Sequence, residues 1–341
     1  MRVSDFDYSL PRELIAQEPV EPRDASRLLV LHRDSGVMEH RNFRDILRYL
    51  RKGDCLVLND TKVIRARLMG RKPTGGLVEV FLLRDTGDDV WEARVRPGKR
   101  LGLGTRVVFG DGDLQAEVVD RTEFGGRLVK LFTPGGRVRE AIERVGTVPL
   151  PPYIHRPVHD AGRYQTVYAR EDGSVAAPTA GLHFTPSLLE DVEGMGVRVA
   201  YVTLHVGLGT FRPVQVDEVE EHRMHAEHYS VPAPAAALIN GTVAQGGRVI
   251  AVGTTVVRTL ESVAPGEGRV NARDGWTSAF IYPGYEFKVV SALVTNFHLP
   301  KSTLLMLVSA FAGTQSVLHA YAEAVRRRYR FYSFGDAMLV I

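Results

Sequence analysis

The chain has 341 residues, 44% hydrophobic and 24% charged, which is enough for a sizeable core and more than a single core usually holds. Its formal net charge of +3 permits an anionic partner but does not predict one. The only cysteine, Cys55, lies in an apolar run, which excludes an internal disulfide and indicates a buried thiol in a reducing compartment.

The first sixty residues have the pattern of an α/β fold. Met1–Asp7 lacks the apolar core of a secretion signal. The following residues predict a strand at Arg27–Leu31, a turn at 34–36, a second strand, an amphipathic helix at Phe43–Leu50 and a strand at Leu56–Leu58. We therefore expect residues 1–62 to form the first part of an α/β domain.

From residue 63 the pattern changes to short alternating runs separated by Gly and Asp. Such runs occur at Leu77–Leu83, Arg106–Phe109 and Leu114–Val119, and they predict a small antiparallel β-barrel. A helix at Val138–Val145 and a proline-rich linker at Val148–Pro152 follow. We expect residues 63–151 to be a barrel domain inserted into the α/β domain.

The predicted barrel is more basic than the rest of the chain. Between Lys62 and Arg106 there are 11 lysines and arginines against 5 acidic residues. A polyanion could bind this surface, but arginines on the outside of a barrel are also ordinary solvated residues. The sequence gives these two interpretations equal weight.

Strands and helices alternate again over residues 152–341, as in mostly parallel sheets. The predicted strands are Val197–Val202, Arg248–Val252 and Ala292–Thr295, and the predicted helices are Ala235–Val243 and two that begin near Thr255 and Ser302. The longest apolar stretch, Leu304–Ala312, is too short to span a bilayer. We expect a discontinuous α/β domain in a soluble, cytosolic protein.

Two histidines lie where a parallel sheet places its functional loops. His183 precedes a helix that Thr185 would cap and Pro186 would begin, a position that keeps an imidazole neutral. His205 ends a predicted strand and is followed by a loop containing Gly207 and Gly209. A core histidine is the ordinary explanation for each alone, but two at adjacent strand ends favour a functional site.

The segment His222–His228 contains three histidines at intervals of three residues together with Glu227. It superficially resembles a metal site, but further ligands at the usual spacing are missing and the segment has no helical pattern. A hydrogen-bonding role for His225 and Glu227, toward substrate or within the protein, is the stronger interpretation. We predict no metal.

Val252–Arg258 reads as a strand, a tight turn at Gly253 and a helix capped by Thr254 or Thr255, which suits an anion or a ribose. It lacks the lysine of a P-loop and the glycines of a dinucleotide fingerprint, so common kinases, ATPases and dehydrogenases are excluded. A later strand end carries Asn296 and His298. Tyr282, Tyr285 and Phe297 could stack on a base or belong to the core.

These segments, taken together, resemble the S-adenosylmethionine:tRNA ribosyltransferase-isomerases of queuosine biosynthesis. The resemblance covers essentially the whole chain and rests on Leu10–Gln17, Asn59–Leu68, Pro178–Phe184, His205–Phe211, Val252–Thr255, Thr295–Pro300 and Tyr329–Met338. His228 departs from the family pattern, which commonly has an aromatic residue there, and this weakens the metal interpretation further.

The resemblance implies that the ribosyl part of S-adenosylmethionine is transferred and isomerised onto a 7-aminomethyl-7-deazaguanine at the wobble position of tRNA. Adenine and methionine leave, and epoxyqueuosine is formed. S-adenosylmethionine is then a consumed substrate, with no further cofactor or metal. The expected partner is tRNA, which the protein would bind through the anticodon loop. The protein is expected to be a monomer and to bind no membrane.

This chemistry needs a base near neutral pH to remove the C5′ proton beside the sulfonium, and an acid to protonate departing adenine. His183 and His205 are the leading candidates, in unassigned order. The full catalytic set is His183, His205, His225, Glu227 and His298. The substrate-binding set is Thr179, Thr185, Gly207, Gly209, Thr210, Gly253, Thr254, Thr255, Arg258, Tyr282 and Asn296.

For tRNA, the barrel residues Lys62, Arg65, Arg67, Arg71, Arg96, Lys99 and Arg100 are the expected phosphate contacts, with 326–328 as a second basic segment. Two alternatives remain from the residues alone. One is an RNA-binding protein without catalysis, which leaves the histidines unexplained. The other is a metal-dependent hydrolase centred on His222, His225 and His228.

Overall fold

The computed structural model describes residues 1–122, 125–156, 160–207, 214–266 and 268–341. The strands in this part of the chain are β1 (Arg27–Leu31), β2 (Met38–Asn42), β3 (Cys55–Asn59), β4 (Thr61–Val63), β5 (Arg67–Arg71), β6 (Leu77–Asp85), β7 (Val90–Arg96), β8 (Arg106–Phe109), β9 (Leu114–Arg121), β10 (Arg127–Phe132), β11 (Glu171–Ser174), β12 (Arg198–Leu204), β13 (Glu227–Val231), β14 (Val249–Val252), β15 (Arg273–Thr277), β16 (Ala292–Asn296) and β17 (Ala337–Val340). The α-helices are α1 (Val138–Val145), α2 (Pro186–Gly194), α3 (Ala233–Ala244), α4 (Thr254–Val263), α5 (Thr303–Ala312) and α6 (Thr314–Arg326).

The described residues form two compact units. Unit 1 consists of Met1–Thr61, Pro152–Glu171 and Ala177–Ile341, and unit 2 consists of Lys62–Pro151 and Asp172–Ala176. Unit 1 contains the large sheet and unit 2 contains the barrel.

Unit 1 is built on a nine-stranded sheet in the order β15-β13-β12-β3-β14-β16-β17-β1-β2. The four strands β12, β3, β14 and β16 run parallel, and Val57 in β3 pairs with Ala200 on one side and Ala251 on the other. Every residue of β3 is buried, as expected for a central parallel strand covered on both faces. The predicted α/β architecture is confirmed.

The sheet is more mixed than the pattern suggested, because β13, β15 and β17 all pair antiparallel to a neighbour. None of these strands was predicted. β17 has only four residues, and β13 and β15 carry polar residues at the sheet edge, so their periodicity is weak.

A hydrophobic core covers the sheet. It includes Leu56, Leu58 and Ile250 from the strands, together with Phe43 and Phe184 from the connections. The helix expected at 43–50 is instead a 3₁₀ helix, Phe43–Tyr49, which Asn42 and Asp45 close with a capping box. It still buries Phe43 and Ile46, so the amphipathic pattern was correct although the helix type was not.

Unit 2 contains a closed antiparallel barrel in the order β10-β7-β6-β5-β8-β9. Buried and outward residues alternate along β9. At Gly70 in β5 a Cβ would lie 2.5 Å from the ring of Phe109, its partner in β8, so this close approach requires glycine. The barrel and the helix α1 confirm the sequence-based predictions.

No single helix in the described ranges has both the length and the apolar composition to cross a bilayer. α5 and α6 together would reach that length, but they meet at an angle of 115°.

Candidate functional site

The polar residues singled out in the sequence follow neighbouring strands of unit 1. Because β12, β3, β14 and β16 are parallel neighbours, their carboxyl ends lie at one edge of the sheet. His205 follows β12, Thr61 follows the end of β3, Gly253 follows β14 and Asn296 ends β16. The fold therefore brings together segments that are far apart in the sequence.

Asn59 connects three of these strand ends. Its Nδ2 donates to the Leu204 carbonyl at 3.0 Å and to Thr255 Oγ1 at 3.2 Å, and its Oδ1 accepts from the Thr61 backbone N–H at 3.1 Å. Thr61 Oγ1 in turn lies 2.7 Å from His205 Nδ1. This network fixes the orientation of the His205 ring, which is half-buried and stacks on His228 with the ring centroids 5.7 Å apart.

Gly253 makes the tight turn between β14 and α4. Its φ of 93° lies in the region that favours glycine, and its N–H donates to the Val294 carbonyl at 2.7 Å. The prediction that Thr254 or Thr255 caps the helix was wrong. Gly253 is the N-cap, and both threonines lie inside the first turn of α4, where Thr255 can accept the hydrogen bond from Asn59.

Glu227 and Arg258 form a buried ion pair, each side chain about 4% exposed. Glu227 Oε2 accepts from Arg258 Nη1, and Oε1 accepts from the Gly207 N–H at 2.8 Å. Arg258 Nε also donates to the Ala279 carbonyl at 3.0 Å. Because both carboxylate oxygens accept bonds from the protein, this pair anchors the backbone at Gly207.

His183 ends a buried 3₁₀ turn, Thr179–His183. Its Nδ1 lies 2.7 Å from Ser26 Oγ, and its ring stacks on Phe43 with centroids 4.8 Å apart. Burial lowers the pKa of His183 to about 4, against the opposing effects of Asp336 and the Asn296 side chain. The ring is therefore neutral near pH 7, and burial is the largest cause. Its Nε2 is buried and makes no hydrogen bond within the described residues.

His298 lies in a different environment, inside an aromatic cluster. Its Nε2 lies 2.8 Å from Thr295 Oγ1, its N–H donates to the Tyr321 hydroxyl at 3.0 Å, and its carbonyl accepts from the Tyr8 hydroxyl at 2.5 Å. Burial lowers the pKa of His298 to about 3. Neighbouring Asn296 donates from Nδ2 to the Tyr332 carbonyl at 2.9 Å.

Comparison with known proteins fits this arrangement. A family model described as "Queuosine biosynthesis protein" matches residues 3–340. The chain belongs to this family. Proteins named S-adenosylmethionine:tRNA ribosyltransferase-isomerase from Moorella thermoacetica and Symbiobacterium thermophilum are 59% and 60% identical to it, each over 100% of both chains. A crystal structure of the S-adenosylmethionine tRNA ribosyltransferase from Thermotoga maritima is 45% identical and matches with a TM-score of 0.56, covering 99% of this chain and all of that one.

The remaining predicted substrate residues of this family member have varied surroundings. Thr185 caps α2 by accepting from the Leu188 N–H at 3.1 Å, and Pro186 begins that helix, both as predicted. Thr179 starts the turn that ends at His183, and the half-buried ring of Tyr282 packs beside Phe280 at 5.0 Å. Gly209 and Thr210 lie outside the described residues.

The three histidines of 222–228 have separate neighbours. His222 packs edge-on against Phe280 at 5.2 Å, His225 is exposed, and His228 Nε2 lies 2.7 Å from Asp274 Oδ1. Within the described ranges, no group of three or more His, Cys, Asp or Glu residues is arranged to hold a metal ion.

The predicted phosphate contacts of unit 2 divide into two groups. Lys62, Arg65 and Arg67 lie 3.1, 3.6 and 3.5 Å from carboxylates of Asp172, Glu143 and Glu79. The other four, Arg71, Arg96, Lys99 and Arg100, are exposed and make no ion pair in the part of the chain that the structure describes. Lys72 Nζ donates to the Arg100 carbonyl at 3.3 Å, which joins the 71–72 and 99–100 segments into one basic end of the barrel.

Sequence reasoning missed Asn59, Thr61 and Ser26 as site residues. Asn59 and Thr61 directly follow a buried run, the same position relative to a strand that drew attention to His205 and Asn296. That signal was available in the sequence. Ser26 gave no such signal, because it lies before a strand and 157 residues from its partner His183.

Proposed function

We propose that this protein transfers and isomerises the ribosyl group of S-adenosylmethionine onto 7-aminomethyl-7-deazaguanine at the wobble position of tRNA. The products are epoxyqueuosine in tRNA, adenine and methionine. The observation that supports this most strongly is full-length identity of about 60% to relatives that carry this enzyme's name. The cluster of polar strand ends in unit 1 provides the residue types that the chemistry needs.

The state of His183 supports an assignment as the base. A general acid must carry a proton before the reaction, and an imidazole with a pKa of about 4 is almost entirely neutral near pH 7. Nε2 of His183 and Oδ1 of Asn296 are both buried and make no hydrogen bond of full geometry among the described residues, but Asn296 lies near enough to favour the protonated ring, as Asp336 also does. In this proposal His183 removes the C5′ proton that the sulfonium acidifies.

His205 is then the candidate acid for departing adenine. Its half-buried ring has access to solvent from which a proton can be replaced, and Thr61 holds one ring nitrogen at 2.7 Å. Glu227, one of the catalytic candidates, is assigned a positioning role because its oxygens accept hydrogen bonds from Gly207 and Arg258. His298 is assigned a structural role because its ring and backbone are held by Thr295, Tyr321 and Tyr8.

Arg258 Nη2 supports a binding role for this side chain as well. It is buried and makes no hydrogen bond in the described residues, although Nε and Nη1 of the same guanidinium are paired. A buried N–H without a partner costs stability, and a substrate oxygen at this position would accept its hydrogen bond.

The proposed reaction needs no resident cofactor or metal. The enzyme is proposed to act as a monomer in the cytoplasm.

The experiment that tests the proposed function follows product formation directly. The purified protein is incubated with radiolabelled S-adenosylmethionine and tRNA carrying the 7-aminomethyl-7-deazaguanine base, and adenine, methionine and the modified nucleoside are measured. We expect adenine and modified base in equal amounts. Binding of tRNA without adenine release would instead support an RNA-binding protein without catalysis.

The barrel is proposed to bind tRNA phosphates through Arg71, Arg96, Lys99 and Arg100. Each phosphate contact to single-stranded RNA contributes about 0.7 to the slope of log affinity against log salt. Replacing Arg71 and Lys99 by Gln should therefore reduce that slope by about 1.4. Lys62→Gln is the matched control, since Asp172 already pairs with Lys62. Equal effects at Lys62 and at the basic end would contradict the proposed surface.

A further inference from the structure

A cavity in unit 1 is lined by His183 and by three arginines, which give it an excess of positive charge. Its lining includes Arg23, Arg163, Arg330, Ser26, Ser333 and His183. The three arginines lie far apart in the sequence, so no sequence motif contains them.

Backbone carbonyls hold each guanidinium in place. Arg23 donates to the Leu182 and Gly162 carbonyls at 3.2 and 3.0 Å, and Arg163 donates to the Val20 carbonyl at 2.6 Å. Arg330 donates to the Glu18 carbonyl at 3.1 Å and to the Phe334 carbonyl. These bonds orient the side chains, but neutral carbonyls leave their charges uncompensated.

Carboxylates compensate only part of this charge. Glu21 pairs with Arg163 at 2.6 Å through a side chain that is 76% exposed. Arg23 and Arg330 make no ion pair with any described residue. Asp336, the acidic residue nearest to Arg330 in sequence, uses its oxygens for the Arg27 side chain at 2.9 Å and for backbone N–H groups of Arg27 and Arg330.

The arginine side chains are partly desolvated and incompletely hydrogen-bonded. Burial lowers the pKa of Arg23 and Arg330, and the charge of Arg163 lowers that of Arg23 further. Nε of Arg163, Nε of Arg330 and Nε2 of His183 are buried and have no hydrogen-bond partner in the described residues. Held cations with unsatisfied donors are what an incoming anion would stabilise.

We propose that this cavity, called here the arginine pocket, binds an oxyanion of a substrate. Two groups of the required chemistry are present in the proposed reaction: the carboxylate of the methionine part of S-adenosylmethionine, and a tRNA phosphate. The identity of these substrates rests on the proposed function, whereas the anion preference rests on the pocket itself. An oxyanion bound here lies beside the proposed base His183 and holds the substrate there.

The test compares Arg23→Gln with wild type and with Arg12→Gln, which removes an exposed arginine outside the pocket. Dissociation constants are measured without turnover for S-adenosylmethionine, for its decarboxylated analogue and for tRNA at several salt concentrations. Arg23→Gln removes one charge-assisted contact, which should raise the dissociation constant of the substrate that occupies the pocket by about 10- to 100-fold. Arg23→Lys, which keeps the charge, should recover part of that loss.

The three dissociation constants together identify which substrate supplies the oxyanion. Weakened S-adenosylmethionine binding with an unchanged constant for the decarboxylated analogue identifies the carboxylate. Weakened tRNA binding with a smaller salt slope identifies a phosphate. Wild-type affinities for all three ligands in Arg23→Gln would overturn the proposal.

A second measurement covers the case in which Arg23→Gln does not fold, as shown by its thermal melt. Sulfate should then compete with the substrate on the wild-type enzyme more strongly than chloride at equal ionic strength, and less strongly on Arg330→Gln. Equal competition by the two salts would overturn the proposal. Both measurements report binding and not turnover. Failure of adenine release would therefore refute the proposed function without deciding whether the pocket binds an oxyanion.

Discussion

His183 and His298 are both buried and both have a lowered pKa, but their hydrogen-bond partners differ. Both are buried, and burial holds both pKa values far below the ordinary range, at about 4 and about 3. His298 is held through its ring, its N–H and its carbonyl. His183 has one ring nitrogen on Ser26, the other without a partner in the described residues, and a polar pocket beside it.

This difference teaches how to interpret a buried histidine. A shifted pKa alone does not separate structure from function, because desolvation shifts any buried imidazole. An unsatisfied nitrogen next to an accessible pocket is a stronger criterion. On this criterion we propose proton transfer for His183 and a stabilising role for His298, and experiment can contradict each proposal.

The largest expected effect is on turnover in His183→Gln. Removing a positioned base typically costs about 10²- to 10⁴-fold, so adenine release under single-turnover conditions should slow by that factor while the melting temperature stays close to wild type. His319→Gln, which changes an exposed histidine on α6, is the matched control and should react normally. Near-normal adenine release by His183→Gln would remove His183 from the mechanism.

The pH profile gives the next largest effect. The base works when neutral, so kcat/KM should fall about tenfold for each unit of pH below the pKa of His183, near 4, and that residue should add no limb between pH 5 and 8. Asp336 and Asn296 favour its protonated form, whereas Arg330 and Arg23 oppose it. Brief exposure to each pH, followed by assay of recovered activity at pH 7, separates ionisation from acid unfolding. A limb near pH 6.5 that His183→Gln abolishes would contradict the strongly lowered pKa.

Parts of the fold and of the site could be predicted from the sequence, and others could not. Strong periodicity located the central strands, and the Thr185 cap followed from local chemistry alone. The contrast between His183 and His298 was not accessible, because it depends on Ser26, Tyr8 and Tyr321, which lie 157, 290 and 23 residues from their histidine partners. The arginine pocket was missed for the same reason. Local patterns identify candidate groups, whereas tertiary contacts decide which of them are already satisfied.

The smallest expected effect on catalysis is at His298, where stability should change instead. His298→Ala removes a buried ring and leaves the Thr295 hydroxyl, itself about 1% exposed, without its partner. Loss of packing and of that bond should cost about 2–4 kcal/mol in denaturant unfolding, with adenine release by the folded fraction within a few-fold of wild type.

The acid sensitivity of His298→Ala provides an independent check on that structural role. The folded pKa of His298, about 3, is lower than the value near 6.5 of an unfolded histidine. Its contribution to stability is therefore complete above about pH 6.5 and is lost as the pH falls toward 3, because only the unfolded chain takes up the proton in that range. His298→Ala should lose less of its own stability than wild type over the same interval, measured by urea unfolding at each pH. If the variant instead lost turnover by 10²-fold or more with unchanged stability, His298 would belong with His183 in the chemistry, and the distinction between the two turns would fail.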